Sequence, residues 1–389
     1  MIGWLVEEQQ NNKQAEKSQA TRKKQLEANS KMSTSQKKLI LVIGATGAQG
    51  RSVVDALLAP TSTGATTPYA VRALTRDLES AQARELKSLG VECVVGSFKD
   101  VDSVAKAMEG VYGVYVNTDG FTVGEMQEYS GIRIFETAKQ TTTLRHYVYS
   151  GLIYAFKMQG YNPDYKVDHL DAKGRVVDFL RSQASMPTDN ELSWSVINTG
   201  PYMELLLAGL FDPITVRADG TVVFAAPVGD GRVPMIALKD LGWWARWIFD
   251  HREETSGKEV HVTSELVSWE NLVETFTKVT GKPAVYVRQT LDEYWNNFES
   301  ASINVPIAGD GSGKTTAKEN FSGFWRVLRD EVWVPSKDIA WLKSVHPETY
   351  TLEKWMRENG YKGRAMPVLK NALDSRKGWM VKEEVAKGL

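Results

Sequence analysis

Cysteine is almost absent from this 389-residue chain. Cys93 stands alone, so no intrachain disulfide can form, and a reducing compartment, cytoplasmic or nuclear, is expected. Charge of one sign is lacking too. The 47 Lys and Arg against 48 Asp and Glu leave a net charge of −1, which gives no global pull toward nucleic acid or an anionic membrane. No apolar run nears the ~20 residues that a membrane span needs. Met1–Val6 is too short for a signal-peptide core, and Glu7-Glu8 follows at once. The histidines at 146, 169, 251, 261 and 346 are scattered, with no His-Glu-x-x-His run and no second cysteine, so no metal site is expected. Gly309–Gly313 puts Gly311 where a nucleophile elbow would need serine, so no hydrolase triad can be assigned.

What is present begins with a polar tail. Residues 1–37 are rich in Gln, Asn, Lys, Glu and Ser and read as a solvated segment, with Arg22-Lys23-Lys24 as an ordinary charge run. Then Leu39–Ile43, five apolar residues in a row, reads as a buried parallel strand. It runs into glycines at 44, 47 and 50 and then into a segment with helical apolar spacing at Val54, Leu57 and Leu58. Strand, glycine turn and helix start are the parts of a dinucleotide cradle. In that reading Gly44 makes the tight turn, Gly47 lets backbone amides approach a pyrophosphate, and Gly50 lets the helix pack against the sheet.

The pattern then repeats. Strands are expected at 69–75, 91–95, 111–116, 146–150 and 193–197, with helices at 81–88, 101–108, 125–140 and 168–183 between them. Such alternation predicts a Rossmann-type, doubly wound parallel α/β sheet over 38–200. Ligands of such sheets bind beyond the strand C-termini. Here those ends carry the glycine turn, Arg76, Ser97, Asn117–Gly120, Ser150 and Asn198–Tyr202. Over 201–389 the alternation stops, and short strands (222–225, 259–263, 284–288) mix with helices (238–250, 268–280, 291–300, 351–359). This predicts a smaller C-terminal α/β cap, interleaved with the first unit and closing a crevice for a substrate or a partner. Trp243, Trp244 and Trp247 lie at near-helical spacing and are read as core packing.

The second strand ends Ala73-Leu74-Thr75-Arg76. An acid at that position would bind the ribose 2′-hydroxyl of NAD. A guanidinium stands there instead and suits a 2′-phosphate, through charge-assisted bonds of about 1.5–3 kcal/mol, so NADP(H) is expected over NAD(H).

Val42–Gly50 followed by Val71–Arg76 resembles the NmrA-like family, an atypical branch of the short-chain dehydrogenase/reductases. His146–Leu152, Asp168–Val176, Gly200–Glu204 and Asp240-Leu241-Gly242 extend the resemblance over about residues 38–300. The family includes NADP-sensing regulators of transcription factors and many fungal oxidoreductases. The resemblance implies that Gly44, Ala45, Thr46, Gly47, Ala48, Gln49 and Gly50 hold the pyrophosphate. Arg76 would meet the 2′-phosphate, with Asp77, Leu78, Glu79 and Ser80 nearby. Ser97 and Phe98 would lie on the adenine side, where many relatives carry aspartate in place of Ser97. Thr118, Asp119 and Gly120 would line the cofactor, Lys173 would contact the nicotinamide ribose, and Tyr202, Met203, Glu204 and Leu205 would form the loop beside the nicotinamide.

Reductases of the wider superfamily combine Ser, Tyr and Lys, with Tyr four residues before Lys on one helical face. Here Ser150 and Lys173 are present, but His169 occupies the tyrosine position, and Tyr154 and Tyr165 are wrongly spaced. His169 could donate the proton, since imidazole titrates near neutrality. Alternatively, Lys173 acts alone, or the site senses its cofactor without chemistry. Two functions therefore stay open: an NADPH-dependent reductase of a small carbonyl or enone compound, or an NADPH/NADP⁺ sensor that regulates a protein partner. Direct nucleic-acid or membrane binding has no support. The aromatics Tyr294, Trp295, Phe321, Phe324 and Trp325 are candidates for a substrate pocket. Ala308–Thr315 matches a relaxed P-loop pattern, but Pro306 argues against a central strand before it, and a polar loop is expected.

Overall fold

All seven strands of the central sheet run parallel. The computed structural model describes residues 37–123, 126–207, 210–308, 314–333, 339–363 and 379–389. The expected tail up to residue 36, and Gly309–Gly313 of the P-loop-like run, lie outside the described residues. The first six strands are β1 (Lys38–Ile43), β2 (Tyr69–Thr75), β3 (Glu92–Val95), β4 (Gly113–Val116), β5 (His146–Gly151) and β6 (Ser193–Thr199). The spatial order is Lys258–Val262, β6, β5, β4, β1, β2, β3. The order reverses between β1 and β4, which is where such a sheet opens a crevice. β4, β5 and β6 are buried along their whole length, as strands covered by helices on both faces must be.

Helices α1 (Ala48–Leu58), α2 (Ala81–Ser88), α3 (Val101–Met108), α4 (Met126–Gln140) and α5 (Asp168–Arg181) make the crossovers. Ser80 and Asp100 cap α2 and α3 through their side chains. α1 packs against α6 (Leu238–Asp250): Val53, Val54 and Leu57 share one buried core with Leu241, Trp244 and Ile248. Full burial of each such aliphatic side chain contributes about 1.5–3 kcal/mol. Trp244 lies in this core, with Trp243 and Trp247 partly buried against it, and the stripe packs on Trp341 of the helix Ile339–Val345 and on His346.

Chain order and spatial order part company after residue 200. The strand expected at 259–263 runs Lys258–Val262 and pairs with β6 at the edge of the main sheet, not within the cap. Its alternating side chains reveal a strand but not its neighbour; the open flank of β6 supplies that. The helix expected at 291–300 is broken into Leu291–Asn296 and Ser300–Ile303. The remaining cap has two small sheets. Val222–Ala226 pairs with Ala284–Arg288 and Thr215–Val216, and Val233–Met235 pairs with Glu265–Val267. Its core is aromatic, built on Phe224, Trp269, Phe276 and Trp325 from strands and from helices α7 (Trp269–Thr280) and α8 (Ala317–Arg329).

One buried carboxylate ties the C-terminal segment to α6. Asp240, 2% exposed, accepts hydrogen bonds from His346 Nε2 at 2.9 Å, Thr349 Oγ1 at 2.9 Å and the Tyr350 amide at 2.8 Å, and from Ser264 Oγ. Burial opposes its charge, but the donors outweigh burial and hold its pKa below the usual carboxylate value. Asp240→Ala leaves those donors without their acceptor and is expected to cost about 3 kcal/mol in chemical denaturation at pH 7. Because the folded pKa is depressed, this contribution is full above the unfolded value near 4 and fades as pH falls through the folded one. The gap between parent and variant should therefore narrow in acid.

Candidate functional site

The glycine turn is built by backbone constraint. Gly44 has φ +88°, and a Cβ there would lie 2.9 Å from the Asn117 carbonyl. A Cβ on Gly50 would collide with the Gly44 carbonyl, so this position must stay bare for α1 to reach the sheet. The Gly47 amide closes the turn on the Gly44 carbonyl at 3.0 Å. Gly47 is also the N-cap of α1, and no side chain caps that helix. Its first-turn amides are thus left for water or a ligand, and the positive end of the helix dipole lies with them.

A cavity of about 850 Å³ opens over the strand ends. Gly44, Thr46, Gly47, Ala48 and Gln49 line it at the turn. Arg76, Ser97 and Phe98 line it beyond β2 and β3, and Thr118, Asp119 and Gly120 beyond β4. His169, Lys173, Tyr202 and Leu205 also face it. The other expected residues lie elsewhere. Ala45 is fully buried beneath the turn and Gly50 is packed on it. Asp77, Leu78, Glu79 and Ser80 form the turn into α2, with Asp77 Oδ1 accepting from the Glu79 amide at 2.8 Å. Met203 is buried in the cap core. Glu204 accepts from the Leu238 amide at 3.3 Å and Trp355 Nε1 at 3.1 Å, and burial raises its pKa. These two side chains turn away because the Met203–Leu207 segment is a 3₁₀ turn packed into the cap.

Arg76 is exposed at the cavity rim, and among the described residues no carboxylate pairs with its guanidinium. Arg51, the other guanidinium near the turn, is held by Asp55 at 2.9 Å and Glu85 at 2.6 Å.

Lys173 is the electrostatic centre. Its Nζ donates to Asn117 Oδ1 at 2.8 Å and to the Ser150 carbonyl at 2.9 Å. Burial pushes the amine down to about 7, against the attraction of Asp119. Ser150 is fully buried beneath the cavity floor, and its hydroxyl donates to Gln49 Oε1 at 3.0 Å. Asn117, absent from the expected set although named among the strand ends, thus holds the lysine, and Gln49 joins the serine to the glycine turn.

His169 is half-buried, with its ring 4.8 Å from Phe121, and Asn320 Nδ2 lies 3.0 Å from its Nδ1. Burial, only partly offset by Asn320, pushes its pKa down to about 4, so the imidazole is neutral at physiological pH. Tyr154 accepts from Arg175 Nε at 3.1 Å, and Tyr165 donates to Asp330 at 2.5 Å; neither lines the cavity. Of the tyrosines among the described residues, Tyr202 does.

Phe321 and Phe324 face the cavity, whereas Tyr294, Trp295 and Trp325 are buried in the cap core. Phe121, Leu152, Leu210, Val305, Trp333 and Trp379 are among the other apolar residues that line it. No spacing in the sequence joins them, because they come from segments brought together only by the cap. In the P-loop-like run, Lys314 lies outside any helix, and Pro306 makes an isolated bridge to Thr316. Among the described residues no group of three or more His, Cys, Asp or Glu could hold a metal ion, and no helix is long and apolar enough to cross a membrane.

The parallel sheet, its switch-point cavity and the uncapped glycine-turn helix define a Rossmann-type protein. The NmrA-like family model matches residues 36–310, and the chain belongs to that family. It is 29% identical over 282 residues to the NmrA-like oxidoreductase FrzB of Cladobotryum sp, covering 68% of this chain and 80% of that protein. It is 30% identical over 281 residues to the NmrA-like oxidoreductase cpsB of Aspergillus campestris, covering 67% and 78%. Among solved structures, the negative transcriptional regulator NmrA in complex with NADP superposes with a TM-score of 0.64 at 21% identity, over 83% of this chain and 95% of that one. NmrA in complex with NAD gives 0.65 at 21% identity over the same shares.

Lys173 provides a direct check on this geometry. A lysine whose folded pKa lies near 7, against about 10.4 when unfolded, makes the folded state gain stability as pH rises through that interval. The stability of the parent relative to Lys173→Met should therefore climb between pH 7 and pH 10 in urea denaturation, and a flat difference would contradict the buried amine.

Proposed function

We propose that this protein is an NADP(H)-dependent oxidoreductase acting on a small carbonyl or enone compound. The observation that carries the reading is the Lys173 amine, buried where the glycine-turn part of the cavity meets its apolar part. The residues fit a dinucleotide phosphate. The uncapped start of α1 and the bare Gly47 offer amides to a pyrophosphate, and Arg76, which pairs with no carboxylate among the described residues, offers a guanidinium to a 2′-phosphate. Ser97 and Phe98 would flank the adenine, and Thr118, Asp119, Gly120 and Tyr202 the remainder.

When bound, the reduced nicotinamide supplies a hydride to the electrophilic carbon. Lys173 in its ammonium form donates a proton to the substrate oxygen and then regains one from water. An amine near pKa 7 is well matched to that task at neutral pH, because both protonation states are populated. Asn117 and the Ser150 carbonyl aim the amine, and Ser150, through Gln49, fixes its position relative to the turn. The neutral His169 is a poor proton donor and serves as an apolar wall.

A second reading, a dinucleotide sensor that regulates a protein partner such as a transcription factor, is favoured by that same unprotonated, ring-packed His169 in the tyrosine position. The two readings separate on turnover. NADPH oxidation with a panel of carbonyl and enone compounds, lost at least a hundredfold in kcat for Lys173→Ala, supports the enzyme; tight NADPH binding with no turnover and capture of a partner supports the sensor. By calorimetry NADPH should bind more tightly than NADH. Arg76→Ala should weaken NADPH roughly tenfold to a hundredfold while leaving NADH nearly unchanged.

A further inference from the structure

A connected set of rings lines the cavity near Lys173. Phe121 follows β4, His169 lies one helical turn before Lys173 on α5, and Phe321 and Phe324 lie on α8. The His169 ring is 4.8 Å from Phe121 and 5.8 Å from both Phe321 and Phe324. Phe121 and Phe321 are nearly parallel, with 6° between their planes and 6.3 Å between centroids. Trp379 meets Phe321 edge-on at 5.0 Å.

These rings do not simply fill a core. Phe121, His169, Phe321 and Trp379 keep part of their surface open, and all four line the cavity. Trp325, one residue after Phe324, shows the contrast: it is fully buried and faces the cap interior. Among the described residues these rings carry no charge: His169 is the ionisable one, and loss of hydration keeps it neutral. Arg76 lies at the strand-end rim, the Asp119 carboxylate accepts from the Phe121 amide at 3.0 Å, and Lys173 is held by Asn117 and the Ser150 carbonyl, so a charged group placed against the ring faces, away from these three, would lose water without gaining a partner. A flat π-surface gains offset and edge contacts with rings arranged in this way.

We propose that the compound bound here is planar, uncharged and multi-ring, an aryl or extended conjugated carbonyl, lying against Phe121, His169 and Phe321 with its carbonyl oxygen toward Lys173. The assignment rests on the oxidoreductase reading and narrows its substrate class.

The test uses the full chain saturated with NADP⁺, so that binding is read without reduction. Three probes are titrated by calorimetry: trans-chalcone, its 4-carboxylate derivative and 2-cyclohexen-1-one. Chalcone is expected to bind at least tenfold more tightly than either of the others. Phe321→Ala is expected to raise its Kd at least tenfold while the Kd for NADP⁺ stays within twofold. Phe321→Leu keeps apolar bulk in case the alanine variant misfolds, and should still weaken chalcone severalfold. Equal or tighter binding of the carboxylate or of cyclohexenone overturns the proposal. So does unchanged chalcone affinity in a variant that still binds NADP⁺. Chalcone binding with the expected preferences, but no NADPH oxidation with chalcone or other carbonyl compounds, upholds the pocket and sinks the reductase reading. NADPH-dependent reduction of cyclohexenone without chalcone binding does the reverse.

Discussion

The chain Asn117–Lys173–Ser150–Gln49 organises the rest of the site. It takes one residue from the end of β4, one from α5, one from the end of β5 and one from the first turn of α1. A lysine buried this deeply must have its hydrogens satisfied, since an unpaired buried ammonium costs several kcal/mol. Asn117 and the Ser150 carbonyl meet that need, and in doing so they fix where the amine faces the cavity. The turn above is equally constrained. Its conformation at Gly44 and the contact at Gly50 leave no space for side chains, which brings α1 to the strand ends without a cap of its own. An electropositive helix start and a near-neutral amine then share one cavity, an arrangement suited to holding a dinucleotide and moving a proton beside it.

The second half of the chain contributes in two different ways. α6 and the strand Lys258–Val262 return to the first core, one against α1 and the other against β6. The rest folds around its own aromatic core and lends α8 to the cavity wall. The Asp240 cluster joins these parts, because its carboxylate on α6 collects donors from Ser264 and from the segment 346–350. The cap is therefore anchored by buried polar contacts as well as by apolar packing.

Much of the first unit was legible because its signals are local. The run Leu39–Ile43 is apolar since its strand is covered on both faces, and the glycines at 44 and 50 are required by backbone geometry within a few residues. Arg76 could be placed near the crevice from strand order alone, and Lys173 from the resemblance to the NmrA-like family. Asn117 as the lysine's partner and Gln49 as the serine's were not legible, because hydrogen-bond partners 56 and 101 residues apart leave no periodic trace. The same holds for the strand at 258–262: its alternation marks a strand, but its pairing depends on which sheet edge is open. Tyr294, Trp295 and Trp325 were indistinguishable in composition from Phe321 and Phe324, and only the direction each helix faces divides core from cavity.

The sequence by itself determined a doubly wound parallel sheet, a glycine turn suited to phosphates, an arginine in place of the NAD-type acid and a histidine in place of the usual tyrosine. The first three rest on short-range rules of backbone sterics, apolar periodicity and residue chemistry, and the last on the resemblance to the reductase superfamily. Tertiary structure alone decided how those residues behave. It buried Lys173 and lowered its pKa, packed His169 among phenylalanines and kept it neutral, and set Ser150 below the floor. It also turned Met203 and Glu204 away from the cavity and assembled an aromatic wall from distant segments. Hydration, dielectric and ring contact depend on what surrounds a side chain, and those surroundings exist only once the chain has folded.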